Sequence, residues 1–137
     1  MKSKVTIMIP VYNQEKTIAQ AVASALEQDY PHLEVIVSDD GSTDKTKEKI
    51  KPFLKQKNFK YYKNKNVGRV QNYQRLLYQY AQGEYVLNLD GDDYLTDTHY
   101  ISKAVSLLEK HPQMAMVFAK QRVLIETTKK IIEEKVN

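Results

Sequence analysis

The 137-residue sequence has no cysteine and no tryptophan, and only three histidines, four glycines and four prolines. Without cysteine, neither a disulfide framework nor a thiolate metal centre can form, and a reducing compartment is compatible with the chain. His32, His99 and His111 are too scattered for the ligand spacing of a zinc site. No run approaches the roughly 20 apolar residues that span a bilayer. The short apolar stretch near the N-terminus is broken by Pro10 and carries no small-residue cleavage site, so it reads as a first strand rather than a leader. No Gly/Ser linker, internal repeat or low-complexity segment divides the chain, and its length suits one domain with a single core.

What is present argues for a folded protein: 42% hydrophobic and 28% charged residues. The net charge of +4 hides an asymmetry. From Lys45 to Arg75 the chain holds eleven Lys or Arg against one acid, Glu48, a net +10 that leaves −6 on the remainder. Such a block suits either a solvated lysine coat or a face toward anionic lipid or a phosphorylated ligand. It contains no finger, homeodomain or ribonucleoprotein motif, so no nucleic-acid partner is expected.

The apolar pattern alternates between strand-like runs and helical spacing, the signature of an α/β sheet. Val5 to Ile9, interrupted only by Thr6, reads as a strand buried on both faces, and Leu33 to Val37 as a second strand. Between them Ile18, Ala21, Val22, Ala25 and Leu26 form a core-facing helical stripe, with Asn13 as its expected N-cap. A helix from Asp44 to Leu54 should end or bend at Lys51 because of Pro52. Phe59 to Tyr62 follows as a short strand. Val70, Tyr73, Leu76, Leu77 and Tyr80 predict a helix over 69–82 with Gly83 at its C′ position. "YVLNL" is a fourth strand, and Ile101, Ala104, Val105 and Leu108 mark a helix ending before His111. Met114 to Glu126 reads as a fifth strand, and the charged tail over 127–137 as a short helix or frayed end. The order βαβαβαβαβ implies a mostly parallel sheet, whose ligands bind at the carboxyl ends of the strands.

Three polar motifs fall there: "PVYN", "SDDGSTD" and "DGDD". Asp90, Asp92 and Asp93 crowd three carboxylates into four residues. The cluster is either a solvated turn, since Asp and Gly are ordinary turn residues, or a site where a cation relieves the repulsion. Mg²⁺ or Mn²⁺ suits it, because these hard cations take carboxylate oxygens, keep waters, and accept further ligands from phosphates.

The stretch "VTIMIPVYNQEKTIAQAVASALEQDYPHLEVIVSDDGSTDKT" followed by "NVGRVQNYQRLLYQYAQGEYVLNLDGDDYL" resembles the nucleotide-sugar-binding half of family 2 glycosyltransferases, from about Lys4 to Phe118. The resemblance implies a Rossmann-like GT-A fold, a three-layer α/β/α sandwich with a mostly parallel sheet. It implies a nucleotide-diphospho-sugar donor, UDP first and dTDP second. Mn²⁺ or Mg²⁺ would bridge the diphosphate, and the acceptor would be a saccharide, a lipid-linked molecule or a protein in a bacterial polysaccharide pathway. By the same resemblance Pro10, Val11 and Tyr12 would line the base pocket with Glu15 facing it, and Asp39 would read the pyrimidine ring while Asp40 capped the turn. Asp90 would contact the ribose or a metal-bound water, Asp92 would ligate the metal, and Gly91 would let the diphosphate approach the backbone. Gly68 and Arg69 would stand near the uracil or diphosphate, although the family's usual arginine position is here Asn72.

Inverting transfer needs a base within reach of the acceptor hydroxyl. The family's base lies well beyond its D-x-D, and the only later acids here, Glu126, Glu133 and Glu134, sit in a Lys-rich tail. The expectation is a donor-binding domain over 1–126 with a tail over 127–137, excised from a longer enzyme or a short natural homologue. It would be cytoplasmic, with peripheral attachment at the inner face of the membrane left open. The alternative is a non-catalytic nucleotide- or partner-binding module of the same fold. A metal-dependent nucleotidyltransferase ranks below both for want of a glycine-rich triphosphate loop, and a phospho-acceptor receiver domain for want of an acid pair after the first strand.

Overall fold

The structure, a computed structural model, describes residues 3–125 and 127–133. The chain falls into two compact units, Met1–Val105 and Ser106–Asn137, a division earlier than the 126/127 boundary read from the sequence. Glu126 and Glu134 lie outside the described residues.

The first unit runs β1 (Val5–Val11), α1 (Ile18–Leu26), β2 (Leu33–Asp39), α2 (Thr46–Ile50), β3 (Phe59–Lys63), α3 (Arg69–Arg75, continued by a wide π turn over Leu76–Tyr80) and β4 (Tyr85–Asn88). The division between units falls inside α4 (Tyr100–Lys110). The four strands form one parallel sheet in the order β3-β2-β1-β4. As Pro52 requires, α2 stops at Ile50 and a tight 3-10 turn, Lys51–Phe53, takes over.

The central strands are buried from end to end because helices cover both faces. On one face Ile7, Ile9, Val35 and Val37 pack with Ile18, Ala21, Val22 and Ala25 of α1, Ile50 of α2, and Ile101 and Val105 of α4. On the other, Met8 and Ile36 pack against Leu76, with Tyr62, Leu77 and Tyr80 around them. Each fully buried Ile, Leu or Val stabilises by roughly 1.5–3 kcal/mol, so these two layers hold the unit together.

Several local readings change. Asn13 does not cap α1; Thr17 occupies that place, and Asn13 sits in the left-handed region at φ 51°. The face of α3 turned inward carries Asn72 and Leu76, whereas Val70 is 65% exposed. The helix also stops at Tyr80 rather than Gln82, and Gly83 is not a left-handed cap. Instead Gly83 passes so close to β1 that a Cβ would lie 2.5 Å from the Thr6 nitrogen.

At the amino end of the sheet the buried Glu34 takes Lys4 at 2.8 Å and Lys60 at 3.3 Å, and accepts from Thr6 Oγ1 and the Gln82 N–H. At the carboxyl end β1 and β2 stay paired to Val11 and Asp39, but β1 and β4 part after Met8 and Asn88, save for the Leu89 N–H on the Met8 carbonyl. Alternation along β1 turns Val5 and Val11 toward β2 and Met8 toward β4. Pro10 therefore falls on the β4 side, where its missing N–H ends the ladder. A crevice opens there, at the point where the strand order reverses.

The second unit contains an antiparallel hairpin of β5 (Arg122–Ile125) and β6 (Lys130–Glu133), with Arg122 and Glu133 paired at 3.0 Å. The predicted fifth strand is thus short and does not extend the parallel sheet, and the tail expected as a helix holds a strand. The β-branched residues Val123, Ile125, Ile131 and Ile132 favour extended backbone, and Lys129 at φ 53° makes the turn between them. Among the described residues no helix is long and apolar enough to cross a membrane.

Candidate functional site

The crevice holds a pocket of about 460 Å³, built from four loops of the first unit. The loop after β1 supplies Pro10, Val11, Tyr12 and Gln14; the end of β2 supplies Asp40; the β3–α3 loop and α3 supply Asn66, Gly68, Arg69 and Asn72; the loop after β4 supplies Asp90, Gly91 and Asp92.

The first two loops are sewn together. The Asn13 side-chain oxygen accepts from the Thr43 N–H at 2.8 Å, and the Asn13, Gln14 and Glu15 N–H groups donate to Ser42 Oγ, Thr46 Oγ1 and Asp44 Oδ2. Glu15 belongs to this seam: its carboxylate accepts from the Lys45 N–H at 2.8 Å and does not line the pocket. Tyr12 stands at the rim with half of its surface exposed.

The paired aspartates take different places from those expected. Asp39 is fully buried, and its two oxygens accept from the Ser42 N–H at 2.7 Å and the Tyr61 hydroxyl at 2.6 Å. Burial and the charge of Asp39 push the Tyr61 phenol well above its ordinary pKa. Asp40 faces the pocket, with its oxygens accepting from the Val67 and Gly68 N–H groups at 2.9 and 2.8 Å. A carboxylate has about four lone-pair positions, so Asp40 keeps acceptor capacity for a ligand. Successive residues at a strand end point to opposite sides, and this alternation puts Asp39 in the core and Asp40 on the wall.

Gly68 adopts φ 93°, a conformation open to glycine, and starts α3 directly before Arg69. Arg69 reaches across the pocket mouth to Asp90, Nη2 to Oδ2 3.2 Å. Asn72 is buried beneath: its Oδ1 accepts from Ser38 Oγ at 2.6 Å and its Nδ2 donates to the Ser38 carbonyl at 2.8 Å. Asn64 and Tyr80 continue this chain, and the Tyr80 ring stacks on Tyr62 at 4.0 Å.

The acidic loop is a turn closed by the Asp93 N–H on the Asp90 carbonyl, with Asn88 Nδ2 steadying the Asp90 carboxylate at 3.1 Å. Burial first, and then the charges of Asp92 and Asp90, push the Asp93 carboxyl above its usual range. Gly91 lies against Gln14: a Cβ there would collide with Gln14 Oε1. That oxygen is itself buried without a hydrogen-bond partner among the described residues. No group of three or more His, Asp or Glu that could hold a metal ion alone exists among the described residues. Two pocket carboxylates, Asp90 and Asp92, fit a hard cation that leaves its other positions to water and phosphate.

The structure thus gathers Pro10, Val11, Tyr12, Gly68, Arg69, Asp90, Gly91 and Asp92 around one space, and leaves Asp39 and Glu15 behind its wall. Sequence reasoning missed Gln14, Asn66 and Asn72 as lining residues. For Asn72 a signal existed, a polar residue one turn before Leu76 on the same helical face; for the other two there was none.

Comparisons with known proteins bear on the family and the fold. The profile of glycosyl transferase family 2 matches residues 6–133. The chain is 34% identical over 116 residues to the putative glycosyltransferase EpsE of Bacillus subtilis, covering 83% of this chain and 41% of that one. It is 31% identical over 117 residues to the poly(ribitol-phosphate) beta-N-acetylglucosaminyltransferase TarS of Staphylococcus aureus, covering 83% and 20%. TarS residues 1–349 in complex with UDP-GlcNAc superpose with a TM-score of 0.73 at 33% identity, covering 80% of this chain and 32% of that one. The mannosyltransferase PcManGT of Pyrobaculum calidifontis, in complex with GDP-Man and Mn²⁺, gives a TM-score of 0.71 at 27% identity, covering 79% and 33%. The chain spans about a third of the length of the curated relatives first matched.

Proposed function

Starting from the fact that this chain belongs to glycosyl transferase family 2 and has its GT-A fold, we propose that it binds a nucleotide-diphospho-sugar, UDP-linked in the first instance, and presents it for transfer to an acceptor hydroxyl. The observation that carries this reading is the placement of an acceptor carboxylate, Asp40, and a carboxylate pair, Asp90 and Asp92, around one crevice with Arg69 at its mouth. The complexes of TarS with UDP and UDP-GlcNAc support a donor of this class.

Asp40 is the group suited to read the base, because a buried carboxylate accepts N–H donors and a pyrimidine imide offers one. Tyr12 at the rim offers its ring face to the base. Asp90 and Asp92 would hold Mg²⁺ or Mn²⁺, which when bound neutralises charge gathering on the leaving diphosphate. Arg69, freed from Asp90, pairs with a phosphate through its planar guanidinium. Gly91 keeps the pocket floor low enough for a diphosphate to lie near the backbone. Inversion at the anomeric carbon remains part of the proposal on the resemblance alone, with the base drawn from outside this pocket.

Calorimetric titration of UDP with and without Mn²⁺ tests the reading. Binding strengthened at least about tenfold by Mn²⁺, with the gain lost in Asp92→Asn, is expected. Equal and negligible heats in both conditions would sink it.

A further inference from the structure

We infer that the side of the first unit formed by α2, its 3-10 turn and the following loop docks onto an anionic lipid bilayer. The segment Lys45 to Lys57 holds six lysines, at 45, 47, 49, 51, 55 and 57, against the single acid Glu48. All six are exposed, and none forms an ion pair among the described residues. Lys4, Lys60 and Lys103, in contrast, all have carboxylate partners. The lysines belong to a short, well-seated element. Thr46 and Ile50 are fully buried, and Phe53 packs onto the core beside Phe59, ring centroids 6.2 Å apart. Ile50 shares the core layer with α1 on one face of the sheet, so these charges are carried by a seated element and do not swing on a free tail.

An apolar point stands among them. Leu54 closes the 3-10 turn through its N–H on the Lys51 carbonyl, lies between Lys51 and Lys55 in sequence, and is 51% exposed. Pro52 beside it is exposed too. A soluble polyanion would be served by the lysines alone. Basic side chains around an exposed leucine are the combination that lipid interfaces select, lysines toward acidic headgroups and the apolar side chain into the acyl boundary. Charge complementarity thus favours a bilayer carrying anionic lipid. None of these residues lines the pocket, so docking leaves the donor site open.

Flotation or sedimentation of the 137-residue chain with vesicles of phosphatidylcholine alone, or mixed with phosphatidylglycerol, tests the inference. Binding is expected only to the mixed vesicles and should fall as salt rises. Reversal of Lys47, Lys49, Lys51 and Lys55 to Glu should weaken partition by at least about tenfold. Leu54→Ser should weaken it several-fold at unchanged charge. Circular dichroism and an unchanged melting temperature would show that each variant is folded. Absence of binding to mixed vesicles by the unaltered chain would overturn the inference. So would binding that ignores Leu54→Ser and is competed away by soluble polyphosphate, which would make the face a polyanion site. Neither result bears on UDP binding, which is measured separately.

Discussion

The guanidinium of Arg69, at the start of α3, stands 3.2 Å from the carboxylate of Asp90, in the loop after β4. Two loops from different strand–helix units are thereby bridged across the mouth of the pocket. In the proposed reading the same carboxylate is one of two that would hold a cation, so Arg69 and the cation would compete for it.

Arg69→Ala is accordingly expected to act with opposite signs on two ligands. Mn²⁺ alone should bind about two- to fivefold more tightly, in keeping with loss of an exposed ion pair. UDP in the presence of Mn²⁺ should bind more weakly, by about tenfold, through loss of a charged phosphate contact. Titrations of each ligand against both proteins check this, and effects of the same sign would refute the competition.

Tyr61 and Asp39 form a bond, and neither lines the pocket. Tyr61→Phe leaves one buried Asp39 oxygen without its donor, which should cost about 1–3 kcal/mol in urea unfolding. UDP affinity should stay within about twofold, whereas Asp40→Asn should lower it by about tenfold or more.

Gly91 and Gln14 give a coupled pair. Gly91→Ala places a methyl group against Gln14 Oε1, and should lower ligand affinity while the fold survives, because the obstructing atom ends a side chain. Adding Gln14→Ala should restore a large part of the loss, and a double-mutant cycle measures the coupling. Gly83→Ala differs, since its methyl group meets backbone of Thr6 and Tyr85. It should destabilise by about 3 kcal/mol, read as a lowered urea midpoint.

Acid should weaken the amino end of the sheet. Burial raises the Glu34 carboxyl, but Lys4, Thr6 and the Gln82 N–H outweigh it and hold the group below its ordinary value. A depressed folded-state value means that the stabilisation is fully present above the unfolded pKa of about 4.3 and is lost as pH falls through the folded value. At the start of α4, bonds from Ser102 and His99 likewise lower the Asp29 carboxyl. Urea midpoints should fall between about pH 6 and pH 3, and less steeply in Glu34→Gln than in the unaltered protein.

The sheet was legible because its cause is local: Val5 to Ile9 and Leu33 to Val37 are apolar runs interrupted only by Thr6 and Glu34, and Pro52 ends or bends a helix. The acidic turn was legible for a similar reason, since its three carboxylates are neighbours in sequence. Asp39 and Asp40 were harder. Both sit at the end of β2, and which of them faces the pocket depends on where the Val67 and Gly68 N–H groups come to rest, a relation across 27 residues and more. The face of α3 was misjudged because Val70 and Tyr73 imitate a core stripe, while the inward position is filled by a polar Asn72 whose partner, Ser38, lies on another element. The hairpin was hidden because its second strand, Lys130–Glu133, is only four residues long and lies in a charged stretch.

The helix α3 with its π turn is tied at both ends of the sheet. Asn72 grips Ser38 at the carboxyl end of β2, and the chain leaving the turn returns at once to Thr6 and Glu34 at the amino end, through Gln82 and Gly83. A segment fixed at two points has a set length. The wide turn, closed by the Ala81 N–H on the Leu76 carbonyl, accommodates one residue more than a regular helix would over the same rise. Removing a single residue between Leu76 and Tyr80 would straighten the helix, but it would also turn Tyr80 off Tyr62 and pull one of the two fastenings loose. Tolerance to insertion and deletion should therefore be poor along this rod and better at Leu54 and Lys55 of the lysine loop, ahead of Asn58, whose carbonyl accepts from the Val35 N–H of β2.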